Sequence, residues 1–195
     1  MPGEYSGPLR SEPLAIELHN TLYASRGRAI DGLVDADGPK AWLTAIAKRL
    51  PAGGTGEDPS LEELVELRAA VREALHAAVE SRPPPRAAIE TLNRASARAP
   101  RSAGARWRRS AAPVPEPRVH TDDRADVVVA ALAADAIKLI TGPRRDAIRA
   151  CGAPGCVLVY LKDHPRRQWC SDACGNRARQ ARHYKRTRRH PKSGR

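Results

Sequence analysis

The sequence predicts a mainly α-helical chain with a small cysteine-bearing module at its C-terminal end. Three observations lead there. The 195 residues include no Phe and only 4% aromatics. The core must therefore be built from Leu, Ile, Val and Ala, which suits packed helices better than a β-sandwich. Several segments place apolar residues three and four apart, the helical period. The third observation is an asymmetry. Residues 143–195 hold fifteen Lys and Arg against three Asp and Glu, an excess of twelve, whereas residues 1–142 hold nineteen of each. The whole formal charge of +12 thus sits in the last quarter of the chain, with all four cysteines. The chain divides into a helical domain (1–142), a compact basic module (143–190) and a basic tail (191–195).

The elements follow in order. Residues 11–25, SEPLAIELHNTLYAS, place Leu14, Leu18 and Leu22 near helical spacing with Ile16 and Tyr23 beside them, which predicts a first helix. Asp37-Gly38-Pro39 opens a second, with Trp42, Leu43, Ile46 and Leu50 on one side. PAGGTGEDP is a loop by its Gly and Pro content. Ser60 followed by Glu63 forms a capping box, and Leu61, Leu64, Leu67, Val71 and Leu75 make the clearest apolar stripe in the chain. Pro83-Pro84-Pro85 ends that helix and RAAIETLNRASA begins another. Residues 99–120 read as a loop or a poor hairpin around Arg106-Trp107-Arg108. Thr121 is the expected cap of a helix running to Ile140, with Val127, Val128, Leu132, Ala136 and Leu139 apolar. Gly142-Pro143 stops it, and RRDAIRA reads as a short helix leading into Cys151.

The helical domain offers little chemistry. His19, His76 and His120 have no spacing relation that marks a metal site. Asp31, Asp35 and Asp37 read as turn and capping residues. GGTG lacks the Lys-Ser/Thr that a phosphate loop needs. No nucleophile is paired with a base, so the expectation is a non-enzymatic protein. No apolar run approaches the roughly 20 residues of a membrane span. The first residues, MPGEYSGPLRSEP, lack the basic and apolar regions of a secretion signal. A cytoplasmic, nucleoid-associated location is expected, with reduced cysteines.

The basic module carries the chemistry. Cys151, Cys156, Cys170 and Cys174 follow C-x4-C-x13-C-x3-C, two close pairs split by a short segment. Zinc is tetrahedral and prefers thiolates, so two close pairs can supply four sulfurs. Disulfides or free thiols would use the same residues, but a reducing compartment argues against the former. Gly152, Pro154 and Gly155 let the first pair turn tightly. VLVYLKD suits a short strand or hairpin, and Ser171 or Asp172 can cap a helix that continues as ARQARHYKRTRR. The result is a knuckle, a short hairpin and a basic helix, a treble-clef-like arrangement around one structural Zn2+. Four thiolates leave no open position for water or substrate.

Trp169-Cys170 followed by Cys174-Gly175-Asn176-Arg177 resembles the CGNR zinc-finger family. The N-terminal part is similar to the ABATE-type α-rich domain, through LAIELHNT (with Asn20-Thr21), the Asp31…Trp42-Leu43 segment and LRAAVREAL. The resemblance implies a bacterial stress-response transcription regulator whose four cysteines bind zinc. In this chain the second cysteine pair has three intervening residues, where four are common in that family.

On a helix Arg179, Arg182, Arg186 and Arg189 recur at three- and four-residue steps and line one face, with Arg177, Tyr184 and Arg188 near in projection. Ala178 and Ala181 suit packing. The candidate nucleic-acid contacts are Arg177, Arg179, Arg182, Lys185, Arg186, Arg188 and Arg189, with Arg177 equally suited to bracing the knuckle. DNA is the favoured partner and RNA the second. The readings from other classes are an RNA- or ribosome-associated factor, and an adaptor whose basic module docks an acidic protein. The helical domain would serve dimerisation or sensing.

Overall fold

The computed structural model describes residues 4–25, 27–34, 37–107, 109 and 111–189. Asp35, Arg108 and the 191–195 tail lie outside the described residues, as do the side chains of Arg188 and Arg189.

The first helix is shorter than its apolar spacing predicts. α1 spans Leu14–His19, and Leu22 and Tyr23 belong instead to β1 (Leu22–Ser25), paired antiparallel with β2 (Arg28–Asp31). Two contacts explain the early stop. The Thr21 hydroxyl donates to the Leu18 carbonyl (2.8 Å), taking an acceptor that the helix would use. Farther off in sequence, Arg68 grips the Asp31 carboxylate through both terminal nitrogens (2.5 Å each) and also donates to Thr21 Oγ1 (3.0 Å). Gly27, at φ +77°, supplies the left-handed turn that the hairpin requires.

α2 (Gly38–Ile46) passes into a 3-10 turn, Ala47–Arg49, and buries Trp42, Leu43, Ile46 and then Leu50. Asp37 precedes it without a side-chain capping bond. α3 (Leu61–Val79) has its capping box in place: Ser60 N donates to Glu63 Oε2 (2.8 Å) and Glu63 N to Ser60 Oγ (3.2 Å). Its buried stripe of Leu64, Leu67, Val71 and Leu75 faces α4 (Arg86–Ala97) and α5 (Arg124–Thr141).

Residues 101–119 form two short ladders in series. β3 (Arg101–Ser102) pairs with β6 (Arg118–Val119), and β4 (Ala105–Arg106) pairs with β5 (Val114–Pro115). The cap of α5 is Asp123, not Thr121: Asp123 Oδ1 accepts from Asp126 N (2.9 Å). The chain stays extended to this point because Thr55 pairs with it. Thr55 N donates to Asp122 O (2.6 Å), and Arg124 N donates to Thr55 O (2.9 Å). This gives GGTG a structural role, with Gly54 (φ +84°) so close that a Cβ there would meet Arg124 Cα at 2.7 Å.

The segment before Cys151 is not a helix. Arg145–Ala147 make one 3-10 turn, and β7 (Ile148–Ala150) follows, paired antiparallel with β8 (Val159–Leu161). The reason is again tertiary. Ile148, Val159 and Leu161 drop into the same core as α1, α3 and α5, so the segment pairs instead of coiling. α6 (Asp172–Arg189) closes the chain. Among the described residues no helix is long and apolar enough to cross a membrane.

Candidate metal centre and basic helix

The first cysteine pair sits at the tip of the β7–β8 hairpin, so knuckle and hairpin are one unit. Cys151 N donates to Leu158 O (2.9 Å), and inside the turn Cys156 N donates to Ala153 O (3.0 Å), with Gly155 left-handed at φ +69°. The second pair straddles the start of α6. Ser171 is the cap, its Oγ accepting from Cys174 N (3.3 Å). Asp172 is the first helical residue, where a carboxylate complements the positive helix end.

All four Sγ atoms lie within 4.8 Å of one another, with Cys170–Cys174 at 3.4 Å and Cys156–Cys170 at 3.8 Å. A tetrahedral zinc with bonds of about 2.3 Å separates its sulfurs by about 3.8 Å, so the cluster has the right dimensions. None of the four is in a disulfide. The electrostatics agree. Hydrogen bonds from Cys156 and Cys170 pull the Cys151 thiol down, and the shared proton then pushes Cys156 up to about 11 and Cys170 higher still. Without a cation the cluster resists a second negative charge, and a divalent ion removes that conflict. The site fits one structural zinc, held by Cys151, Cys156, Cys170 and Cys174. Among the described residues no other cluster of His, Cys, Asp or Glu has metal-binding geometry.

The residues around the cysteines explain their neighbours in sequence. Arg177 donates to Cys174 Sγ (3.2 Å), so the structure places it on the cluster. Trp169 lies between two glycines: a Cβ on Gly175 would meet its Cδ1 at 2.9 Å, and one on Gly152 its Cζ3 at 3.5 Å. Gly175 is therefore required by the indole packed against it. Asn176 accepts a hydrogen bond from Arg179 on the exposed side.

The module is tied to the helical domain through the free edge of β8. Asn20 binds Val159 as another strand would, its Nδ2 donating to Val159 O (2.9 Å) and its Oδ1 accepting from Val159 N (3.0 Å). Glu12 Oε2 accepts from Leu161 N (3.0 Å). Arg167 completes the edge: it pairs with Glu12, donates to Leu161 O (3.0 Å), and stacks 5.0 Å from the Tyr160 ring centre. Behind Asn20 lies a histidine pair that the spacing in sequence does not reveal. His19 Nδ1 meets Asn20 Oδ1 at 3.0 Å, and its Nε2 meets His76 Nε2 at 3.0 Å. His19 is fully buried, and burial followed by the charge of Arg72 pushes its pKa down to about 3. It is neutral, with the Nδ1 proton directed at Asn20. Burial also raises Glu17, although the Arg10 and Glu12 amides and Arg49 oppose this. The one hint of Asn20's role in sequence was a polar Asn-Thr pair inside an apolar run.

Along α6, Ala178 is buried and Ala181 half-buried, the packing face expected of them. Arg179, Arg182, Lys185 and Arg186 are exposed, as is every residue from 182 to 187. Two arginines outside the helix extend the basic surface: Arg10 and Arg166 line a cleft of about 830 Å³ with Trp169 and Arg179.

Two family models match the chain. Residues 12–143 match the ABATE family, described as "putative stress-induced transcription regulator", and residues 147–187 match the CGNR zinc finger. No curated protein matches. The ABATE match spans well over half of the 195 residues. Its helical core, closed by a four-cysteine cluster with Cys-Gly-Asn-Arg at the start of a basic helix, shows that the chain belongs to the ABATE family and ends in a CGNR zinc finger.

Proposed function

We propose that this protein is a non-enzymatic transcription regulator that binds nucleic acid, DNA in preference to RNA, through α6. The observation that carries the reading is the way α6 is held. Its start is fixed by two zinc-ligating cysteines, Cys170 just before it and Cys174 in its first turn, and by the Ser171 cap, while its later turns expose Arg179, Arg182, Lys185 and Arg186 to solvent. A cationic helix fixed at one end suits phosphate contacts and entry into a major groove. Arg10 and Arg166 continue the same charge beside the helix start.

The test combines zinc stoichiometry with binding of labelled duplex DNA and RNA across a salt series. The reading expects one zinc per chain and affinity that falls on chelation. Each lost phosphate contact lowers the log–log salt slope by about 0.9, so the double variant Arg182→Ala with Arg186→Ala should reduce it by about 2. Equal affinity for RNA and DNA would favour an RNA- or ribosome-associated factor. Nucleic-acid affinity unchanged by the double variant would favour an adaptor for an acidic protein.

A further inference from the structure

Between α3 and α4 lies an open groove of about 590 Å³, walled by Val65, Ala69 and Ala70 of α3, Pro85 and Ala88 at the start of α4, and Leu22 of β1. Its size and apolar walls are those of a small-molecule site. Two arginines, Arg68 and Arg72, also line it. They differ in one respect. Arg68 is buried and neutralised by Asp31. Arg72 is half-buried, and among the described residues no carboxylate lies within ion-pair distance of it. Its Nη1 donates instead to the His19 carbonyl (3.3 Å) and faces His19 Nε2 at 3.5 Å. The carboxylates that border the groove, Glu66 and Glu73, are exposed and reach toward Arg94 and Arg82 at 3.9 and 4.0 Å.

We propose that this groove binds a small amphipathic carboxylate, its apolar body along the alanine-lined wall and its carboxylate on Arg72. A half-buried guanidinium with no carboxylate in direct contact is costly, and a bound carboxylate supplies both a close charge and a matching pair of acceptors. Burial and the neighbouring Arg68 hold the Arg72 pKa below its ordinary value, and the charges of Asp31 and Glu73, neither in contact with it, offset this only in part. The site has a direct connection to the zinc hairpin. Arg72 touches His19, His19 holds Asn20, and Asn20 holds Val159, three residues beyond Cys156. An occupied groove therefore draws Arg72 away from His19 and alters the contact that seats the hairpin.

The inference does not depend on nucleic-acid binding, and the experiment reads the groove alone. The full zinc-loaded chain is titrated with the fluorescent anion 8-anilinonaphthalene-1-sulfonate, then competed with octanoate or octanol. One site should appear, displaced by octanoate at least tenfold more effectively than by octanol. Arg72→Gln should abolish that preference. Ala69→Phe, at an exposed position on the groove wall, should remove the site while leaving the melting temperature near wild type. Octanoate should also shift the Asn20 side-chain amide resonances. Equal displacement by acid and alcohol, or unchanged dye binding in Ala69→Phe, would overturn the proposal. So would a dimer in sedimentation that Ala69→Phe dissociates, since the groove would then be a protein interface. The α6 variant Arg182→Ala with Arg186→Ala should leave dye binding unchanged, which separates this result from the DNA test.

Discussion

Replacing Asn20 with alanine should loosen the zinc hairpin from the helical domain without touching a metal ligand. Asn20 is fully buried, and its amide satisfies three groups: the Val159 N–H, the Val159 carbonyl and the His19 Nδ1 proton. A buried polar group left without a partner costs about 1–3 kcal/mol. With three orphaned groups the loss is roughly 3–9 kcal/mol, a large part of the roughly 5–15 kcal/mol that holds a typical domain together. Asn20→Asp sharpens the test, because it leaves no cavity for water to fill. It keeps an acceptor for Val159 N but turns a second oxygen toward the Val159 carbonyl, so it should not rescue. The assay is urea unfolding at pH 7.5, with amide exchange at Val159 as the local probe. Wild-type protection at Val159, with a stability loss under about 1 kcal/mol in both variants, would refute the idea that this side chain seats the module.

Gly175→Ala gives a prediction in which the sign decides. In an open helix interior the change stabilises by roughly 1 kcal/mol. Here the new Cβ would lie 2.9 Å from Trp169 Cδ1, so the indole must move, and the variant should be destabilised by about 1–3 kcal/mol with an altered tryptophan emission and weaker zinc retention. His19 predicts an acid sensitivity. Its folded pKa is about 3, well below the ordinary 6.5, because of burial and then Arg72, with Asn20 opposing and His76 and Arg68 adding to the shift. The unfolded chain therefore takes up the proton first. The stability is complete above pH 6.5 and is lost as pH falls toward 3, at about 1.4 kcal/mol per pH unit for this one proton. His19→Gln should remove about one proton from the slope of stability against pH between 6 and 4. An unchanged slope would mean that the histidine is not held neutral.

The parts of the fold that could be read in advance are those whose causes are local. The Ser60–Glu63 box and the leucine stripe of α3 lie within a few turns of one another, and a helix needs nothing more to declare itself. The cysteine cluster was legible for a related reason: zinc dictates ligand type and number, so spacing alone suggests the site. The misreadings share the opposite property. Leu22 and Tyr23 fit a continuing helix just as well as a strand, and what decides between them is Arg68 reaching Asp31 from 37 residues away. The cap at Asp123 depends on Thr55, and the strand at Ile148 on a core assembled by other helices. The His19–His76 contact joins residues 57 apart, beyond any motif spacing.

Asn20 and Val159 are 139 positions apart, and their contact changes how the two modules relate. A charge boundary near residue 143 reads as two modules of different character. In the structure no linker separates them. α5 ends at Thr141, one 3-10 turn follows, and Ile148 is already in the shared core. A lone two-stranded hairpin is at best marginally stable in water. The β7–β8 hairpin is held from two sides, by the cysteine cluster at its tip and by Asn20 and Glu12 along its free edge. The direction in which α6 projects is set by both. Metal ligation alone would order the knuckle but leave the basic helix free to swing relative to the helical domain. The polar edge gives that helix a defined bearing on α1, the element whose His19 carbonyl also holds Arg72 of the groove. A change in the helical domain can thus reach the basic helix through side-chain contacts, without the chain between the modules having to flex.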